Sequence, residues 1–185
     1  MRVTISSSSN DNINEKYKQS AIEITSYLAD SGCDLNWGSG DSSIMGICYN
    51  EFSKKGRNIY GYTTPKYADE LKNLSKAEHQ MFDNTFDLKK HIFDDADLII
   101  VLPGGTGSIS EFFAYLEEIR SNDKDKQLIL YNNDHHFDKT IELINDLVER
   151  SFNNENIKSF YRIINSFEDF KNFYEEFKQN KKHVI

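Results

Sequence analysis

The sequence predicts an α/β fold of the Rossmann type, an open parallel sheet with helices on both faces, built as one domain over residues 1–185. Two observations carry that prediction. Short runs rich in β-branched residues alternate along the chain with segments of helical period, which is the rhythm of βαβ units. One of those runs, Leu98–Leu102, is apolar at every position, as a strand covered on both faces must be. At 185 residues, with 38% hydrophobic and 13% aromatic side chains, the chain can bury one substantial core.

Arg2–Ser6 reads as the first strand. A helix follows, with Ile13, Tyr17, Ala21, Ile24 and Leu28 on one face and Gly32 placed for a C-terminal cap. Cys33–Trp37 is the second strand and runs straight into Gly38-Ser39-Gly40. The next helix, about Ile44–Lys55, stops at Gly56, and Asn58–Tyr62 makes the third strand. Thr63–Thr85 reads as a short helix and mostly polar loop. Phe86–Asp95 is helical, Leu98–Leu102 is the central strand, and Ser108–Ser121 is the helix behind it. Gln127–Tyr131 is a strand, Asp138–Arg150 a helix and Ile157–Ile164 an edge strand. Phe167–Gln179 closes the chain, with Phe167, Phe170, Phe173, Tyr174 and Phe177 on one helix face.

A net charge of −8 argues against nucleic acid or an anionic membrane as the main partner. The adjacent Lys54, Lys55 and Arg57 read as a solvated helix end. Met1–Ser9 has no apolar stretch of signal-peptide length, and no run approaches a membrane span. Cys33 and Cys48 have no metal-ligand spacing and read as reduced thiols of a cytoplasmic protein.

Function is concentrated in the turn after the central strand. Pro103-Gly104-Gly105-Thr106-Gly107-Ser108 lies at the carboxyl edge of the sheet, where open α/β sheets bind ligands. Three glycines let an anion approach the backbone and permit positive φ, and the free N–H groups of the next helix favour a phosphate. Thr106 and Ser108 add hydroxyls. The helix's apolar stripe is Ile109, Phe112, Phe113, Leu116 and Ile119, from which Glu111 points away. Read as a first-turn residue, Glu111 either faces the cleft or is an acid favoured by the helix dipole by ~0.3–1 kcal/mol. Gly38-Ser39-Gly40, leading to Met45 at a helix start, and Ser6–Ser9, including Ser7, are further polar loops on the same edge.

Taken in order, these loops resemble the Lonely Guy family of phosphoribohydrolases. The family's Pro-Gly-Gly-x-Gly-Thr-x-x-Glu is similar to Pro103–Glu111, with Ser108 in the Thr place. Its Gly-Gly-Gly-x-x-Gly-Leu-Met-Gly is similar to Gly38–Gly46. The resemblance implies that Gly104, Gly105, Thr106, Gly107 and Ser108 hold the 5′-phosphate of a nucleoside monophosphate, with Ser7, Gly38, Ser39, Gly40 and Met45 completing the site. It implies hydrolysis of the N-glycosidic bond to free base and ribose 5-phosphate, with Glu111 catalytic, no cofactor and a homodimer. The family pairs its Glu with the Arg of a Met-x-x-Arg-Lys stretch. Counted back from Pro103, that Arg position falls on Leu88 and the Lys on Lys89; anchored on Met81, it falls on Asn84. Lys89 or Lys90 is left to stand in as a point charge, although lysine lacks the bidentate fork of arginine, and Asp87 and Lys89 face the base or phosphate from across the cleft. The vacant Arg position keeps a second reading open, a non-catalytic nucleotide-binding module of the same fold. Transfer of the sugar between bases is a third.

Other motifs read as structural. Asp134-His135-His136-Phe137-Asp138 is a solvated loop with Asp138 capping the next helix, and no metal site is expected. His79 and His91 read as ordinary satisfied histidines. Tyr60, Tyr62 and Tyr67 are either half-buried sheet aromatics or a surface for a base to stack on.

Overall fold

A computed structural model describes residues 1–122 and 126–182, the last of these by its backbone alone. Seven parallel strands form one sheet: β1 (Arg2–Ser6), β2 (Asp34–Trp37), β3 (Ile59–Thr63), β4 (Glu78–Met81), β5 (Leu98–Val101), β6 (Gln127–Tyr131) and β7 (Arg162–Ile164). Their order across the sheet is β4-β3-β2-β1-β5-β6-β7. The chain thus winds outward from β1 in one direction and resumes on its other side at β5. The split between β1 and β5 is the topological switch point, where loops diverge and leave a crevice.

Six α-helices cover the two faces. Those on one face are α1 (Glu15–Asp30), α2 (Ser43–Lys54) and α6 (Phe167–Lys182), packed on Val3, Ile5, Leu98 and Ile100. On the other are α3 (Thr85–Asp94), α4 (Thr106–Ser121) and α5 (Asp138–Glu149), packed on Ile99, Val101, Leu128 and Leu130. Alternation of side chains along β5 feeds both layers, and all four of its residues are fully buried. The Rossmann-type α/β fold is therefore as the sequence predicts, with the glycine cap at Gly32 (φ 85°) after α1.

Three local readings change. Thr63–Thr85 contains a strand as well as a 3-10 helix, Pro65–Asn73. That strand, β4, is a polar edge strand of sequence Glu-His-Gln-Met, paired with β3 on one side alone, so it needs no apolar face. Ile157–Ile164 is a strand only in its last three residues; its first part belongs to the 3-10 helix Glu155–Phe160, because Ile157 packs into the α4–α5 layer. Asp138 does not cap α5. It is the first helical residue, its carboxylate accepts from Asn132 Nδ2 at 2.9 Å, and Phe137 precedes it with no side-chain cap. The basic run is the solvated helix end the sequence suggests, with Lys54 paired to Glu51, Lys55 to Asp30, and Arg57 Nε donating to the Ala29 carbonyl at 2.7 Å.

Candidate active site

At the carboxyl edge, over the switch point, lies a cleft of about 360 Å³, within the range of small-ligand sites. Its walls come from the loops that follow β1, β2 and β3 and from two helices of the other face. Ser6 ends β1, and Ser7 and Ser9 follow it; Gly38, Gly40 and Met45 follow β2; Thr64, Tyr67 and Glu70 follow β3. From the other face come Thr85, Leu88, Lys89 and Ile92 of α3, and Gly107, Ser108, Glu111 and Tyr115 of α4.

The α4 wall carries the chemistry. Helical geometry begins at Thr106, with Gly105 in the extended N-cap position, two residues before the sequence reading has it. Glu111 is consequently the sixth residue of the helix and lies beyond the first turn. A dipole-favoured first-turn acid is not its role, and its side chain turns into the cleft. Its Oε2 accepts a hydrogen bond from the Ser6 hydroxyl, across the switch point from the end of β1. Burial pushes its carboxyl above the usual carboxylate range, against the lowering effects of the Ser6 bond and of Lys89.

The glycines of the turn differ in what demands them. None has positive φ, so the turn does not use the left-handed freedom that its glycines permit. A Cβ on Gly104 would stand 2.1 Å from Ser108 Oγ and 2.8 Å from Ser108 Cβ, so the protein's own packing requires that glycine. Gly105 and Gly107 face open space, with no atom within 4 Å of such a Cβ. Behind the turn, His136 Nε2 lies 2.8 Å from the Gly104 carbonyl and 3.2 Å from the Gly104 amide nitrogen, and its tautomer sets which of the two it bonds; the ring stands edge-on to Tyr17 and Phe137. That brace escapes sequence reasoning, since His136 is 32 residues away and sits in a loop without periodicity.

Around the cleft, Ser7, Gly38, Gly40, Met45, Gly107, Ser108, Lys89 and Glu111 come together as the motifs suggest. Gly104, Gly105, Thr106 and Ser39 do not line it. Gly105 and Thr106 are exposed at the mouth. Ser39 is buried at φ 55°, and its hydroxyl bonds His79 Nδ1 at 3.1 Å, while His79 Nε2 donates to the Leu74 carbonyl at 3.1 Å. The strained serine therefore fixes the loop from within. Gly40 makes room for Met45, whose Sδ would stand 2.7 Å from a Cβ there.

Lys89 reaches Ser110 Oγ at 2.7 Å on α4, which puts its ammonium at the cleft's rim. Asp87 lies outside the cleft, bonded to Asn84 Nδ2 at 2.7 Å. Both positions aligned with the family Arg have structural occupants. Leu88 is buried in the cleft wall, and Asn84 caps α3 by accepting from the Phe86 and Asp87 amides. Tyr62 is a buried sheet residue and Tyr60 a half-buried one; Tyr67 lies outside the sheet, on the 3-10 helix over the cleft. No group of three metal-ligating side chains occurs among the described residues, and none of their helices is long and apolar enough to cross a membrane.

Fold and cleft together define an open Rossmann-type sheet with an anion-favouring helix end and a carboxylate beside it. Residues 45–173 match the family described as "possible lysine decarboxylase", and the chain belongs to that family, which is the Lonely Guy family. Similar sequences include the cytokinin riboside 5′-monophosphate phosphoribohydrolase LOG1 of Arabidopsis thaliana, 28% identical over 142 residues, 74% of this chain and 64% of that protein. The probable cytokinin riboside 5′-monophosphate phosphoribohydrolase LOGL2 of Oryza sativa subsp. japonica is 26% identical, over 74% of this chain and 56% of its own length. The chain thus spans less than two thirds of either relative. Among solved structures, the molybdenum cofactor binding protein of Rippkaea orientalis superposes with a TM-score of 0.70 at 16% identity, covering 95% of each chain. The molybdenum cofactor carrier protein of Chlamydomonas reinhardtii gives 0.69 at 10% identity, over 96% of this chain and 98% of that one. These likenesses concern the fold.

The family description implies pyridoxal phosphate, and the residues do not fit it. Among the described residues the cleft's one lysine is Lys89, which stands at the rim with its ammonium on Ser110. A Schiff-base lysine must instead present its amine to the cofactor inside the site.

Proposed function

We propose that the chain binds a nucleoside 5′-monophosphate in this cleft and hydrolyses its N-glycosidic bond, releasing the base and ribose 5-phosphate. The observation that carries the reading is Glu111: a carboxylate with a raised pKa, inside the cleft, one helical turn from the free N–H groups that begin α4. The phosphate sits against the first turn of α4, where Gly107 leaves space and the helix end favours negative charge. Binding there fixes the ribose near Glu111. As the bond from C1′ to the base nitrogen breaks, its electron pair leaves with the base and positive charge grows at the sugar. The Glu111 carboxylate stabilises that charge and takes a proton from the water that adds to C1′; a proton then reaches the departed base. A carboxylate with an elevated pKa suits the base role near neutrality. Ser6 holds the carboxylate in place.

The test is incubation with AMP, GMP, CMP and an N6-substituted AMP, following free base and ribose 5-phosphate by chromatography. Release of both products, abolished in Glu111→Ala, supports the reading; no release overturns it. A second reading, a nucleotide-binding module without turnover, is favoured by one observation. Among the described residues no arginine lines the cleft, and Lys89 is its one cation. Saturable AMP binding without product establishes that reading instead. The homodimer implied by the family resemblance belongs to the same proposal and is measured by light scattering.

A further inference from the structure

Tyr115 is a cleft residue that the reaction above leaves unused. It is 1% exposed, lines the cleft, and its ring stacks on Phe93 with centroids 5.9 Å apart at 25°. Its hydroxyl is buried without any hydrogen-bond partner. A phenol can satisfy itself with almost any carbonyl or water, so an orphaned one normally costs stability. Burial, and after it the neighbouring Glu111 charge, pushes the phenol well above its ordinary range, so it stays protonated and acts as a donor.

The placement of Tyr115 on α4 gives the orphan a meaning. Ser108, Glu111 and Tyr115 follow the spacing i, i+3, i+7, and all three line the cleft, so they form one stripe along the helix. At 1.5 Å per residue, Glu111 lies about 4.5 Å and Tyr115 about 10.5 Å beyond Ser108 along the axis. Long helical side chains lean back toward the N-terminus, which brings the phenol closer to Glu111 than the backbone spacing suggests. The stripe repeats the order of a nucleotide: phosphate at the helix end, sugar at the carboxylate, base one turn further on. A second orphan donor, the buried Trp37 Nε1, belongs to another lining residue of the same cleft. Two unpartnered donors from opposite layers of the fold suit a ligand whose inner end carries acceptors, as the ring nitrogens and carbonyls of a nucleobase do.

We propose that the Tyr115 hydroxyl is a specificity-determining donor to the base of the bound nucleotide, satisfied by the ligand and by nothing in the free protein. The inference rests on the nucleotide reading of the cleft. Its signature is a variant that gains stability while losing affinity for one part of the ligand.

The experiment compares wild type with Tyr115→Phe by thermal denaturation and by calorimetric titration with AMP and with ribose 5-phosphate, which lacks the base. The expected result is a higher unfolding midpoint for Tyr115→Phe without ligand, AMP binding weakened roughly three- to tenfold, and ribose 5-phosphate binding unchanged. Equal AMP affinity in the two proteins overturns the proposal while leaving the nucleotide reading intact. Equal weakening of both ligands also overturns it, because the phenol then shapes the cleft without meeting the base. Failure of the wild type to bind either ligand overturns this inference together with the nucleotide reading.

Discussion

The two edges of the sheet are built to opposite rules. At the amino edge, polar groups meet partners. Arg2 donates from its backbone to Asp97 at 2.8 Å and from its guanidinium to Asp95 at 2.8 Å, and it lies 3.7 Å over the Tyr60 ring. Lys181 reaches the other oxygen of Asp97 at 2.5 Å. The Lys126 ammonium donates to three carbonyls, those of Phe93, Asp94 and Ala96, at 2.8–2.9 Å. The carboxyl edge is the reverse. There Glu111 is a partly buried carboxylate with a raised pKa, Tyr115 and Trp37 have orphaned donors, Ser39 has a left-handed backbone, and Gly107 faces empty space. One edge is satisfied in the free protein, and the other holds unsatisfied groups in reserve. Such groups persist where a ligand completes them.

That contrast is broken most directly at Glu111. Glu111→Gln keeps an acceptor for the Ser6 hydroxyl and removes the buried charge. Loss of at least about 100-fold in base release is expected, the scale of a general base. The unfolding midpoint at neutral pH should equal or exceed that of wild type. The sign follows from the raised pKa: the folded state favours the protonated acid, so below the ordinary 4.5 the ionised group imposes no penalty. The penalty grows as pH rises through the folded pKa and is complete above it. The stability advantage of Glu111→Gln should grow over the same window, read by thermal melts across pH. Wild-type turnover should fall as pH drops through that raised value, since the ionised carboxylate is the working form. A Glu111→Gln protein less stable than wild type at every pH would place Glu111 among the structural groups.

Lys126→Met is the mirror experiment at the amino edge. It removes a cation from the C-terminal end of α3 and uncovers three carbonyls that bulk water reaches only in part. A loss of about 1–3 kcal/mol is expected, visible as an unfolding midpoint lowered by roughly 3–10 °C. Nucleotide affinity should be unchanged, because the ammonium lies at the sheet edge away from the cleft. Weakened AMP binding in a folded Lys126→Met would show that the two edges are coupled.

How far the sequence reveals each edge follows from the physics of the signals. The carboxyl edge is legible because its parts are local: an apolar strand, three glycines and a carboxylate at fixed spacing all fall within Leu98–Glu111. The cleft position of Glu111 is half-legible. Periodicity turns it off the apolar stripe, but its place in the helix depended on where α4 begins, and Gly107 hides two helical residues inside an apparent turn. The amino edge is almost silent, since Arg2, Asp95, Lys126 and Lys181 pair over 30 to 95 residues with no local pattern. β4 is silent for another reason. A short polar edge strand pairs through its backbone, and Glu78, His79, Gln80 and Met81 carry neither alternation nor β-branching. Tyr115 was invisible because an aromatic beside Phe112 and Leu116 reads as core, and burial confirms that it is core as well as cleft.

The smallest effects separate the two kinds of glycine within a single turn. Gly104→Ala would drive a Cβ into Ser108 Oγ at 2.1 Å, and repacking there should cost about 1–3 kcal/mol. Gly107→Ala meets no protein atom within 4 Å, and its φ is not positive. Gly107 is the second residue of α4, where alanine is the better helix former. Gly107→Ala should therefore stabilise the free protein by about 0.5–1 kcal/mol, a midpoint rise of a few degrees. If the empty space at Gly107 is where phosphate approaches the helix end, the same methyl group must weaken binding of AMP and ribose 5-phosphate alike. Tyr115→Phe, by contrast, weakens AMP alone. A Gly107→Ala protein that is both more stable and equally avid would remove the phosphate from the first turn of α4. The anion would then have to lie nearer Gly38 and Gly40, across the cleft.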